Sequence, residues 1–545
     1  MLCSNLSTPC NAARFLARAL AGLTAACVVH GVGLAATLPT APQTFDTSYV
    51  APTGATRTVA AGGDLQAALN QAQLGDTIVL QAGATFTGPF KLPNKTSGTG
   101  WIYVVSSNLA SLPPPGQRVG PNNAVNMPKI VSRAYNSALT TIANSHHFRF
   151  VGIEFSPVAG ASLYTLIPIG NADTSPATLA NHIVFDRCYV HGDPAVNEQR
   201  GIEMDGAYVA VIDSYISDFQ AEGFDTQGLW AYNTTGPIQI RNSYIEAAGE
   251  NVMFGGADSR EAALVPADIE ISNNYFFKPL SLITTHYTLK NLLEFKAAQR
   301  VVVTGNTFEN NPAGAQAGFA IVITPRNQNG TAPWSVTTDI AVTNNTLINV
   351  GAGFDVLGQD NNHPSLLTER ILIRNNLVGV TGLNGADARG FEFLGGGNDY
   401  TIDHNTLINS TLPPGFSTSD LAMAQSPVSK VNNFVFTNNL STQTHWGFFG
   451  SGVGEGTPAL NGSFTGWIFS RNVIVDGPAG SYPAGNFFPA GVAAVRFANY
   501  AGGNYTLAAD SPYKNAGTDG TDIGANLSAL SVVVLPNPPG SVVVK

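Results

Sequence analysis

From about residue 180 the chain repeats a short apolar run with a period of two, then a turn, then another short apolar run. The runs are Ile183-Val184-Phe185, Val209-Ala210-Val211, Ile238-Gln239-Ile240, Ile269-Glu270-Ile271, Val301-Val302-Val303, Ile340-Ala341-Val342, Ile371-Leu372-Ile373, Tyr400-Thr401-Ile402, Phe434-Val435-Phe436 and Trp467-Ile468-Phe469. The turns after them fall at Cys188, Ser214, Ser243, Asn274, Asn306, Asn345, Asn376, Asn405, Asn439 and Asn472, nine intervals over 284 residues. Alternation of this kind places successive side chains on opposite faces of a strand. Recurrence at roughly 20 to 50 residues marks a repeat architecture in which each unit buries its apolar face against its neighbours. Helical repeats are excluded by the period of two, and leucine-rich repeats by the missing Leu-x-x-Leu-x-Leu-x-x-Asn phrase. What remains is an all-β solenoid of stacked parallel β coils. Asparagine suits its turns because it tolerates left-handed backbone angles, and because stacked amides can hydrogen-bond along the axis.

A second strand series lies between the turns: Gly201-Ile202-Glu203-Met204-Asp205, Gly223-Phe224-Asp225-Thr226-Gln227, Asn251-Val252-Met253-Phe254-Gly255, Leu292-Leu293-Glu294-Phe295-Lys296, Gly353-Phe354-Asp355-Val356-Leu357 and Gly390-Phe391-Glu392-Phe393-Leu394. Alternation predicts Ile202, Phe224, Val252, Leu293, Phe354 and Phe391 inside, with Glu203, Asp225, Glu294, Asp355 and Glu392 outside in one column. Like charges stacked about 4.8 Å apart need water, cations or opposite charges between them. The column reads either as a solvated acidic stripe, or as a divalent-cation site or a set of carboxyls with raised pKa values. Asp205 and Gln227 share these strands and join the candidate ligand-binding face. In Gly249-Glu250-Asn251-Val252-Met253-Phe254-Gly255-Gly256, the small residues fit either a closely approaching ligand or tight coil packing.

Over about residues 60 to 525 the phrases resemble right-handed parallel β-helix proteins of the pectate lyase superfamily. Gly63-Asp64-Leu65-Gln66-Ala67-Ala68-Leu69 followed by Gly75-Asp76-Thr77-Ile78-Val79-Leu80 is similar to that group's capping helix and first strand, with Asp64 as helix N-cap. Asp519-Gly520-Thr521-Asp522-Ile523-Gly524-Ala525 resembles the closing phrase of many secreted β-helices. Leu293-Glu294-Phe295-Lys296, continuing through Gly305-Asn306-Thr307-Phe308 to Ile323-Thr324-Pro325-Arg326-Asn327, is similar to the alginate and chondroitin lyases of polysaccharide lyase family 6. By that resemblance Lys296 is the base that takes the C5 proton of a uronate, and Arg326 helps protonate the leaving O4. The resemblance also implies calcium, for which Asp225 and Glu294 are the candidate ligands. The family's acidic ligands stand five and seven residues before the lysine, where this chain has Asn291 and Leu289. Signatures of polygalacturonases and of the larger pectate lyase families are missing. Hydrolysis by two carboxyls about 6.5 to 9.5 Å apart is a further possibility for the same face.

Trp230, Tyr232, His286, Tyr287 and Trp334 are read as loop aromatics; Trp230, Tyr287 and Trp334 join Glu203, Asp205, Asp225, Gln227, Glu294, Asp355 and Glu392 as candidate sugar contacts. Only 11% of the 545 residues are charged and 57 are Gly, which favours strands and tight turns. Arg14 and Arg18 precede an apolar run, Ala19 to Ala36, that ends in small residues, so residues 1–36 read as an export signal. Its removal takes two Arg and no acid, moving the formal charge from −10 to −12. That balance argues against a nucleic-acid partner. Cys3, Cys10 and Cys27 leave with the signal, and Cys188 alone cannot form an intramolecular disulfide. The expected organisation is a signal at 1–36, an extension at 37–60, the β-helix at 61–528 and a Pro-rich tail at 529–545. The expected protein is secreted, periplasmic or extracellular, has no stable membrane span once processed, and acts on or binds a polysaccharide. The rival readings are a noncatalytic carbohydrate-binding or cell-surface protein and a glycoside hydrolase.

Overall fold

The apolar runs stack in parallel, each opposite its counterpart in the next coil: Ile183 faces Val209, Val209 faces Ile238, Ile238 faces Ile269, and the register continues without a slip to Tyr400 and Phe434. A computed structural model describes residues 36–170, 175–409, 420–425, 429–442 and 444–530. The expected signal and tail lie almost wholly outside these. Among the described residues three long sheets form, of 15, 11 and 13 strands, each ordered by coil and parallel throughout its central strands. The chain is therefore a parallel β-helix, with the right hand that crossovers between parallel strands take. The first sheet carries the runs above, the second carries the acidic series, and the third follows each turn. Among the described residues no helix is long and apolar enough to cross a membrane.

The helix Leu65–Gln71 closes the first coil as expected; Asp64 Oδ1 accepts the amide of Ala67 at 2.9 Å, and Leu65 and Leu69 turn inward. Within the coils, rings stack from one turn to the next, as Phe150 does on Phe185 and Phe354 on Phe391, with centroids 5.5 and 5.4 Å apart. Such pairs are worth about 0.5–1.5 kcal/mol each beyond their buried area.

The turns are joined by an amide ladder. The backbone N–H of Asn274 donates to Asn306 Oδ1, that of Asn306 to Asn345, that of Asn345 to Asn376, and so on to Asn472, at 2.9 to 3.0 Å. Each Nδ2 donates to a carbonyl of the preceding coil, for example Asn345 to Val303 at 3.0 Å. Towards the N-terminus the serine hydroxyls of Ser214 and Ser243 take the same place. One expectation needs correcting: the left-handed residue is the one before each ladder position, as at Asn273, Asn344, Asn375 and Asn438 with φ of 55 to 58°. Two separate properties of asparagine thus occupy two successive positions.

Residues 37–50 run along the first sheet against the direction of the coils. The amides of Thr37, Thr40 and Gln43 donate to the carboxylates of Asp399, Asp339 and Asp268, and Arg149 holds the carbonyl of Thr47. Arg300 and Arg370 in turn pair bidentately with Asp268 and Asp339 across adjacent coils.

Asn345→Ala is expected to cost about 2 kcal/mol or more, because buried donors and acceptors on both neighbouring coils lose partners. Asn344→Gly is expected to cost less, about 1 kcal/mol, since glycine adopts the left-handed conformation freely and only the part-buried bonds of Asn344 with Asn375 and Thr304 are lost. Shifts of the urea unfolding midpoint check both; equal losses would contradict the division of roles.

Candidate active site

The second sheet aligns Pro168, Glu203, Trp230, Met253, Glu294, Val322, Asp355, Glu392 and Met423 in one outward row. Glu203, Glu294, Asp355 and Glu392 thus stand where alternation put them. Asp225 does not, because the strand of its coil is Gln227–Ala231 and Trp230 takes the row position. Asp225 and Phe224 precede that strand; the Asp225 carboxylate is about half exposed and Phe224, expected inside, is exposed. The row is also less repulsive than a continuous acidic column, since apolar side chains separate Glu203 from Glu294 and Glu294 from Asp355. Only Asp355 and Glu392 are acidic on adjacent coils, and there Arg389 contacts Glu392 at 2.6 Å and Asp420 at 3.0 Å.

A compact cluster forms around Glu294. Glu250 and Glu294 are both buried. Glu250 Oε2 accepts from Gln227 at 2.8 Å, and Lys290 Nζ lies 3.3 Å from its other oxygen and 2.5 Å from Asp225 Oδ2. Lys296 Nζ stands 3.6 Å from Glu294 Oε1. Burial alone would raise the pKa of Glu250, but Lys290, Lys296 and hydrogen bonds from Gln227 and Glu294 bring it below the ordinary value. Burial pushes Glu294 up to about 7, against the pull of Lys296 and with the help of the charge on Glu250. The two carboxyls are therefore shifted apart, Glu294 up and Glu250 down.

Lys296 follows directly on the second-sheet strand Leu293–Phe295, and Arg326 comes three residues after the adjacent strand Phe319–Ile323. The Arg326 amide donates to the Lys296 carbonyl at 2.8 Å, fixing the two segments side by side. The guanidinium is half-buried and reaches Asp360 at 3.2 Å and Asn361 at 2.8 Å. Next along the row, Asp355 is raised well above the usual carboxylate range by burial and by the charges of Glu392 and Glu294. Glu392 is likewise raised by burial, against the pull of Arg389.

Glu203 and Asp205 form a second carboxyl pair. Both are raised by burial, Asp205 further by the charge of Glu203. Asp205 Oδ1 accepts the amides of Tyr232 and Asn233 at 2.8 and 3.1 Å. Beside them Arg200 lies 3.9 Å from the Trp230 ring and 4.6 Å from that of Tyr164, which is 64% exposed.

Several expected sugar contacts have structural partners instead. Trp230 lies in the strand, not a loop, buried beneath Arg200 with its indole N–H on the Gly255 carbonyl. Trp334 packs on Val265, Ala297 and Val336 and donates to Ser259. The Tyr287 hydroxyl accepts from Gln220 at 3.2 Å, and Gln227 is buried between Arg200 and Glu250. The glycine phrase reflects coil packing: a Cβ on Gly249 would stand 2.4 Å from the Thr226 carbonyl oxygen, and one on Gly255 2.5 Å from the Ala297 nitrogen. Sequence reasoning left out Glu250, Lys290, Tyr164, Arg200 and Asp360. Glu250 was visible inside that glycine phrase; the others lie outside the repeated pattern.

The set expected to hold calcium does not fit a dication. The oxygens of Asp225 and Glu250 point at the Lys290 ammonium, and Glu294 is buried beside Lys296. Among the described residues no three His, Cys, Asp or Glu side chains gather to hold a metal ion.

No family model matches the chain, and no curated protein matches it. Among solved structures it resembles the PL6 family alginate lyase AlyGC, at 14% identity and a TM-score of 0.48, over 89% of this chain and 59% of that one. It also resembles a mannuronic acid specific polysaccharide family 6 lyase from human gut microbiota, at 13% identity and TM-score 0.45, over 80% and 83% of the two chains. A third is pectate lyase Pel9A, at 14% identity and TM-score 0.29, over 87% and 96%. The likeness is one of fold, and the chain spans about three-fifths of the length of the first.

Glu294 keeps its proton in the folded chain up to about pH 7, whereas an unfolded glutamate releases it near 4.5. The folded state therefore binds more protons in that interval, and this group's contribution to stability falls as pH rises through it. Glu294→Gln stays neutral, so its thermal midpoint is expected to gain on the wild type from about pH 5 to about pH 8. A difference flat with pH would contradict the proton assignment.

Proposed function

We propose that this protein is an exported polysaccharide lyase that cleaves a uronate-containing chain by β-elimination. The observation that carries the reading is the joined pair of segments bearing Lys296 and Arg326, held by one 2.8 Å backbone bond beside the Glu250–Glu294 pair. In the reaction Lys296 Nζ takes the proton from C5 of the uronate. The electron pair of that bond forms the C4–C5 double bond, the C4–O4 bond breaks, and O4 leaves with a proton that Arg326 helps to deliver; no water is consumed. The two lysines differ in a way that suits these roles. Lys290 is clasped by two carboxylates, while Lys296 stands 3.6 Å from its partner, beyond a firm hydrogen bond.

A second reading, hydrolysis, draws on the Glu203–Asp205 pair. Two buried carboxyls raised above the usual carboxylate range, beside an exposed tyrosine, can serve as acid and base on a bound sugar. The two chemistries leave different products.

Incubation with a panel of polyuronates is expected to produce unsaturated ends, read as growing ultraviolet absorbance. Lys296→Ala is expected to lower kcat/KM by about 10²–10⁴-fold with the fold intact. Saturated reducing ends lost in Glu203→Gln would favour hydrolysis. Binding without any product would favour the noncatalytic role.

A further inference from the structure

We propose that the Lys290 ammonium is a built-in counter-cation for the acid cluster of Asp225, Glu250 and Glu294, standing where a dication was expected, so that the site works without one. The proposal deepens the lyase reading and rests on it for its link to catalysis. Its basis is the placement of Lys290. The Leu289 side chain before it is buried against Ala248 and Leu282, and the Lys290 amide donates to the Ala248 carbonyl at 3.3 Å. The lysine side chain, 12% exposed, is left to bridge the half-exposed Asp225 to the fully enclosed Glu250.

Charge placement supports the same role. The Lys290 ammonium already stands between the Asp225 and Glu250 carboxylates, 2.5 Å from one and 3.3 Å from the other. A dication added there would meet an ammonium between the very oxygens it needs, and would have to displace it. The two positions where the family resemblance expects acidic ligands offer little: the Leu289 side chain has no oxygen and its carbonyl accepts the Ala315 amide, and the Asn291 amide nitrogen is committed to the Phe319 carbonyl. One neutral amide oxygen is far short of the roughly six to eight oxygens that calcium takes. The lysine has the further advantage of being covalently fixed, so its charge is present at any cation concentration.

The test compares the full chain, Lys290→Arg and Lys290→Met by thermal unfolding in a chelator and in calcium chloride, at matched ionic strength. The wild type and Lys290→Arg are expected to melt alike in both. Lys290→Met, whose carboxylates are released, is expected to melt lower in the chelator and to gain roughly 2 °C or more from calcium. A wild type that loses stability on chelation, or a Lys290→Met variant indifferent to calcium, would overturn the proposal. Should Lys290→Met fail to fold, the other two chains decide it by their response to the chelator. The melting readout needs no substrate, so a chain that proves inactive on every polyuronate refutes the lyase reading and leaves this one standing. A calcium-dependent lyase would do the reverse.

Discussion

The amide ladder through Asn274, Asn306, Asn345, Asn376, Asn405, Asn439 and Asn472 fixes how each coil sits on the next. A strand can slip only if a whole row of buried amides gives up its partners, each left unsatisfied at about 1–3 kcal/mol. That constraint holds the first and third sheets in register, and the second is tied to them because each central coil contributes a strand to every sheet. A slip of one residue in the second sheet would turn Glu294 inward and Leu293 outward. The chemistry of the outer face thus depends on an interaction on another side of the solenoid.

Along that face the protein avoids stacking like charges by interruption. Met253 and Trp230 separate Glu203 from Glu294, Val322 separates Glu294 from Asp355, and Arg389 binds Glu392, one of the two acids that do stand on adjacent coils. Where acids do meet, as at Glu250 with Glu294 and at Glu203 with Asp205, burial and the neighbouring charge raise Glu294 and Asp205 towards the neutral form. Buried carboxyls that differ in pKa by environment are the usual means of placing an acid and a base side by side near neutral pH.

The repeat, its strands and the capping helix were legible because they rest on local rules: alternation, turn chemistry and an N-capping Asp64. The inward positions Ile202, Val252, Leu293, Phe354 and Phe391 followed for the same reason. Asp225 and Phe224 were misplaced because the Gly223–Gln227 phrase alternates as a strand would, while the paired segment begins only at Gln227. Lys290 left no signature, since its partners Asp225 and Glu250 come from two earlier coils. The aromatic rings of Trp230 and Trp334 looked like sugar platforms, but whether such a ring faces solvent or a neighbouring coil is decided by packing that composition does not record.

The most direct test of the site is a crystal structure of the Lys296→Ala chain with a uronate oligosaccharide bound. The uronate ring is expected across the second sheet, with C5 facing position 296 and its glycosidic oxygen towards Arg326. An oligosaccharide seated instead over Tyr164 and the Glu203–Asp205 pair, or on another sheet, would contradict the assignment.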